Sequence, residues 1–111
     1  MDINEIDKYI KRYILAPYRI RILEARQYYD IGMKGKCRPK DTKEIDNLYE
    51  YIEKIEAIIG ADDLQKIDIF RLDNKTAYIE FNMKKHQLWN YRKRVRNKIL
   101  EAINSGKLQE I

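Results

Sequence analysis

Apolar positions recur at three- and four-residue steps in three stretches of the chain, and these steps predict helices. In residues 4–29, Ile6, Ile10, Tyr13 and Ile14 form one stripe, and Ile20 and Leu23 continue it. Pro17 interrupts this stretch, predicting either a kink or a second helix with the proline in its first turn. Residues 31–40, IGMKGKCRPK, carry two glycines, a proline and a run of cations, and predict a solvated loop. The next helix opens with Asp41 as a candidate cap and Glu44 three residues on, an approximate capping box. Ile45, Leu48, Ile52, Ile55 and Ile59 then recur at steps of 3, 4, 3 and 4, and Gly60 offers the stop. That heptad seam fits an antiparallel hairpin with residues 4–29. The alternative is dimerisation, with these five residues facing the same seam of a second copy.

Residues 62–82 carry two patterns. DDLQKIDIFRL suits a helix capped by Asp62, and DNKTAYIEF a short helix capped by Asp73 or Asn74. KIDIFRL and TAYIEF also alternate, so a β-hairpin at about 66–81, turning at Asp73-Asn74, is the alternative. The third helical stretch favours the helical reading, because a short helix, a break at Asn82-Met83 and a long helix together spell helix-turn-helix. In the long helix Leu88, Tyr91, Val95, Ile99 and Ala102 form the apolar face. His86, Gln87, Asn90, Lys93, Arg94, Asn97 and Lys98 are expected on the opposite face, with Trp89 on the flank between the two.

Charge sharpens this picture. Residues 84–98, KKHQLWNYRKRVRNK, hold seven Lys or Arg and no Asp or Glu. The other 16 basic and 18 acidic residues sum to −2, so this segment carries the whole surplus behind the net +5. Cations suit phosphates, and amides suit base edges. In a helix-turn-helix, 75–81 is the bracing helix, 82–84 the turn and 85–103 the recognition helix, whose N-terminal part enters the major groove. Lys85, His86, Gln87 and Asn90 are then expected near bases, and Lys93, Arg94 and Lys98 further along, toward the backbone phosphates. Lys84 and Asn97 complete the expected DNA-binding set. Asn82 suits the turn because asparagine tolerates a left-handed backbone.

Composition excludes several classes. One cysteine, Cys37, rules out an internal disulfide, and one histidine leaves a zinc site without its usual donors. No apolar run approaches the ~20 residues of a membrane span, and no signal-peptide pattern is visible, so a cytoplasmic protein without membrane contact is expected. No phosphate-binding loop, dinucleotide turn or nucleophile–base spacing is present, so no enzyme and no cofactor is expected. Asp62-Asp63 and the Glu50, Glu53 and Glu56 series look like paired carboxylates but fit a solvated helix face.

The segment DNKTAYIEFNMKKHQLWNYRKRVRNKIL resembles the C-terminal part of small phage late-gene regulators of the ArpU/RinA kind, which are similar in turn to sigma-factor region 4. Lys75-Thr76, Asn82-Met83-Lys84 and Tyr91-Arg92-Lys93-Arg94 carry the resemblance. It implies a bracing helix, a short turn and a recognition helix rich in Tyr-Arg-x-Arg, below a helical N-terminal half. Two positions depart from that pattern. Bulky Tyr78, Ile79 and Phe81 surround Ala77 where a small residue should face the partner helix, and the turn lacks a glycine.

The expected fold is all-α: a helical hairpin over 1–60, usable for dimerisation, then a helix-turn-helix-like unit over 61–111. The expected function is transcription regulation of phage or prophage type, by binding double-stranded DNA. RNA polymerase or another host protein is a further partner of such a regulator. Two alternatives stand beside it: a phage protein docking its basic helix on a host protein, and a DNA-packaging component.

Overall fold

Asp2 opens the first helix by accepting a hydrogen bond from the Glu5 amide at 2.8 Å. This helix, α1, runs unbroken over Ile3–Lys34 in the computed structural model, which describes residues 1–109. Residues 110 and 111, the end of the expected 61–111 unit, lie outside the described residues. No second helix starts at Pro17, which lies inside α1. An interior proline costs about 3 kcal/mol, and the burial of Ile14, Ala16 and Ile20 around it offsets that cost. The expected loop at 31–40 shrinks accordingly. Gly35 caps α1 at a left-handed φ of 74°, and α2 (Pro39–Ile59) starts with the proline in its first turn. Asp41 therefore does not cap α2. It lies buried inside the first turn, with Arg26 at 3.4 Å.

The two helices pair antiparallel. Tyr51 donates to the Tyr9 carbonyl at 2.7 Å, and Arg19 meets Glu44 at 2.9 Å. Gln27 donates to Thr42 at 2.8 Å near the connecting loop. The heptad seam of α2 is consumed by this pairing. Ile45 and Leu48 are buried with Ala16, Ile20 and Leu23, while Ile55 and Ile59 lie in the main core. Ile52 is partly buried against the smaller cluster. Dimerisation through Ile45, Leu48, Ile52, Ile55 and Ile59 is thereby corrected: intramolecular contacts already cover these side chains.

After Gly60 come α3 (Ala61–Leu64), a 3-10 turn (Ile67–Arg71) and α4 (Asn74–Glu80). The helix expected from Asp62 thus stops early and resumes in tighter form. No strand occurs among the described residues, so the β-hairpin alternative at 66–81 is overturned. Burial explains why. Consecutive Ile69 and Phe70 both face the core, which a strand's two-residue alternation forbids. Asp73 caps α4 by accepting from the Thr76 amide at 2.7 Å. Asn82 turns the chain at a φ of 50°, and α5 runs over Lys85–Asn104.

The main core gathers Ile6, Tyr9, Ile10 and Ile14 of α1, Tyr51, Ile55 and Ile59 of α2, and the apolar stripe of α5. Residues 1–60 and 61–109 therefore share one core. The far end of the α1–α2 pair projects from it as an arm. The radius of gyration is 16.8 Å, above the ~13 Å of a compact 100-residue domain. No helix of the described residues is long and apolar enough to cross a membrane.

Candidate nucleic-acid interface

Leu88, Tyr91, Val95, Ile99 and Ala102 are all buried, which fixes the rotation of α5. The 3.6-residue repeat then turns His86, Asn90, Lys93 and Asn97 to solvent, and all four are exposed. Lys84 and Lys85 join them at the start of the helix. The Lys93 ammonium lies 4.8 Å from the ring centre of exposed Trp89. Gln87 is exposed, but its side-chain oxygen accepts from the Lys84 amide at 2.8 Å, so it also caps the helix.

Two expected site residues have partners within the protein. Arg94 sets its guanidinium on the Asp63 carboxylate, with contacts of 2.9 to 3.3 Å. Lys98 donates to the same carboxylate at 2.8 Å and to the Ile59 carbonyl at 2.7 Å. Tyr91 donates to the Asp63 backbone carbonyl at 2.6 Å, and burial raises its phenol pKa. Asp63 is therefore the tie between α3 and α5, not part of a solvated acidic face. The Arg94 hydrogen bonds, joined by those from Lys98, hold its carboxyl down at about 2. Arg94 and Lys98, expected toward phosphates, are both engaged on Asp63, with Arg94 still 52 % exposed.

The other two arginines of the basic run behave alike. Arg96 forks onto Asp7 of α1 at 2.8 and 2.9 Å. Arg92 donates to Asn74 at 2.6 Å and reaches the Leu72 carbonyl at 3.4 Å. Burial, with Arg96 beside it, lowers the Arg92 pKa. Of the seven cations in 84–98, four tie α5 to α1, α3 and α4, and only Lys84, Lys85 and Lys93 project freely. No local signal marks this division, because Asp7 and Asp63 are remote in sequence from the residues they hold.

The residues at the two departures from the expected pattern take these positions. Ala77 is fully buried and is the small residue on the inner side of α4, while Ile79 is 73 % exposed. Asn82 supplies the positive φ that a glycine would otherwise provide. Beside α5 lies a cleft of about 340 Å³ whose walls include Ile3, Ile6, Tyr78, Leu88 and Trp89, with Lys85 and Lys93 among its cations. No group of three metal-ligating side chains occurs among the described residues.

No protein-family model, curated protein or solved structure matches the chain.

Proposed function

We propose that this protein binds double-stranded DNA through the exposed face at the start of α5, as a transcription regulator of the phage late-gene kind that its C-terminal segment resembles. One observation carries the reading. His86, Asn90, Lys93 and Asn97 project together from a helix whose opposite side is locked into the core, with Lys84 and Lys85 at its beginning. Amides at this position pair with base edges, and lysines beside them neutralise phosphates. The short α4, the Asn82 turn and α5 supply the order of a helix-turn-helix, with α4 as the brace.

Titration of random duplex at several salt concentrations tests the reading, with the wild type compared to Lys85→Ala/Lys93→Ala. Affinity falling steeply with salt, on a slope shallower by about two in the double variant, supports it. No binding at low salt, or an unchanged slope, overturns it.

A second reading has its own observation. The cleft beside Trp89 has an apolar floor and a cationic rim, a combination suited to an acidic segment of a host protein. Under that reading Trp89→Ala abolishes partner binding, while duplex affinity is absent from the start.

A further inference from the structure

The outward face of α1 changes character along its length. Where the helix crosses the main core this face carries Asn4, Lys8 and Lys11, all exposed. Beyond residue 14 the same line of the helix reads Leu15, Tyr18, Ile22, Ala25, Tyr29 and Met33, at steps of 3, 4, 3, 4 and 4. The five large side chains are 49 to 69 % exposed among the described residues. The chain that places lysines on this face over residues 4–11 places none on it over 15–33. Together these side chains expose apolar surface on the order of 500 Å², at the upper end of what a monomer presents and more than half of the ~800 Å² per partner in a stable interface.

We infer that this stripe is the seam of a homodimer, closed antiparallel by the same stripe of a second copy. The heptad spacing is what a helix presents to another helix of equal period, and a second copy supplies that period by symmetry. The arm also lacks a core of its own size. Its apolar cluster is Ala16, Ile20, Leu23, Ile45 and Leu48, with Ile52 beside them. Two stripes laid together turn two thin arms into a four-helix bundle.

Charge permits this closure. The cations bordering the stripe toward α2, Arg19 and Arg26, are matched within the protomer by Glu44 at 2.9 Å and Asp41 at 3.4 Å. A parallel pair carries the seam on into Lys8 and Lys11 of both copies, which lie on the same line of the helix. An antiparallel pair avoids that contact and keeps the two basic α5 helices at opposite ends. The seam shares no residue with the α5 face, so its test stands apart from duplex binding.

Sedimentation equilibrium of the full chain tests the seam. Wild type at up to roughly 100 μM, enough to fill a micromolar dimer, is expected at twice the 13.5 kDa chain mass. Ile22→Glu/Tyr29→Glu is expected at the single mass with unchanged helix content, because both side chains already face water within the protomer. The milder Leu15→Ser/Ile22→Ser serves if the first variant loses helix. Ile79→Ser/Trp89→Ser, exposed apolar residues off the stripe, is expected to remain a dimer. A monomeric wild type, a larger open assembly, or a dimer that survives both stripe variants overturns the inference. Spin labels on the single Cys37, at the arm's tip, decide the direction. The stripe is roughly 28 Å long at 1.5 Å per residue, so antiparallel arms hold the labels at least about that far apart. Labels in close contact mean parallel arms and overturn the antiparallel seam.

Discussion

The cations of α5 divide into two groups that look alike in the sequence and do different work. Arg92, Arg94, Arg96 and Lys98 lie along the sides of the helix next to its buried stripe. Each reaches back to an acceptor on another element: Asn74, Asp63, Asp7 or the Ile59 carbonyl. Lys84, Lys85 and Lys93 are exposed, and Lys93 lies over the Trp89 ring. The chemistry follows the geometry. Arginine, with its planar fork, fills three of the four fastening positions, and lysine fills all three free ones. A basic run is thus not a measure of how much charge a surface offers. Neighbouring carboxylates first take the cations that the helix rotation brings to them.

Substitutions in each group break this division or sharpen it. The largest effect is expected at Arg96, whose loss strands the half-buried Asp7 carboxylate. Arg96→Ala should lower stability by about 2 kcal/mol, measured as a drop in the urea midpoint, with duplex affinity of the folded protein unchanged. Removing both partners in Asp7→Ala/Arg96→Ala should recover part of that loss. Lys85→Ala/Lys93→Ala should do the reverse. Duplex affinity at low salt should fall about tenfold, ~1.4 kcal/mol, while stability stays within about 0.5 kcal/mol. If that variant unfolds more easily than Arg96→Ala, the division is wrong.

Asp63→Asn should cost about 1 kcal/mol at neutral pH, since Arg94 and Lys98 keep partial access to water. The carboxyl is held at about 2 in the fold, below its ordinary value of 3.8. Its contribution is therefore fully present above about pH 4 and is lost as pH falls through about 2. Urea midpoints of wild type and Asp63→Asn should converge over that window, and a gap that widens on acidification contradicts the assignment. Asn90→Ala should have the smallest effect on random duplex, less than about twofold, because an amide reads bases and carries no charge. Its consequence should appear only as relaxed preference among selected sequences.

Much of the fold follows from local pattern. The stripe of α5 is buried where its spacing predicts, and the seam of α2 faces a helical partner. The short helix after Asp73 forms with the predicted cap. What local pattern missed has nonlocal causes. Pro17 is tolerated because buried neighbours on both sides hold the helix together. Asp41 is displaced from its expected capping role because Pro39 starts the helix earlier and Arg26 lies across from it. The segment 66–81 alternates like a hairpin, yet the core requires Ile69 and Phe70 on one side. The candidate site was partly legible. His86, Asn90, Lys93 and Asn97 share the solvent face as the wheel predicts, whereas Arg94 and Lys98 are paired with Asp63. Trp89 was placed on the flank, and only the fold shows it walling a cleft.

The periodicity of apolar residues needs no partner to be visible. It states which side of a helix must leave water, and so it specified the helical class, the buried stripes and the segment holding the surplus charge. Which cation meets which carboxylate depends on contacts across 31 to 89 positions of chain. Whether the α2 seam closes within one chain or between two depends likewise on where α1 returns. Both outcomes have the same local pattern, and only the packing of α1 against α2 and α5 separates them. The apolar face of α1 beyond Leu15 became visible as a surface for the same reason. Its spacing was always in the chain, but its exposure exists only once the stripes of α2 and α5 have found their cover.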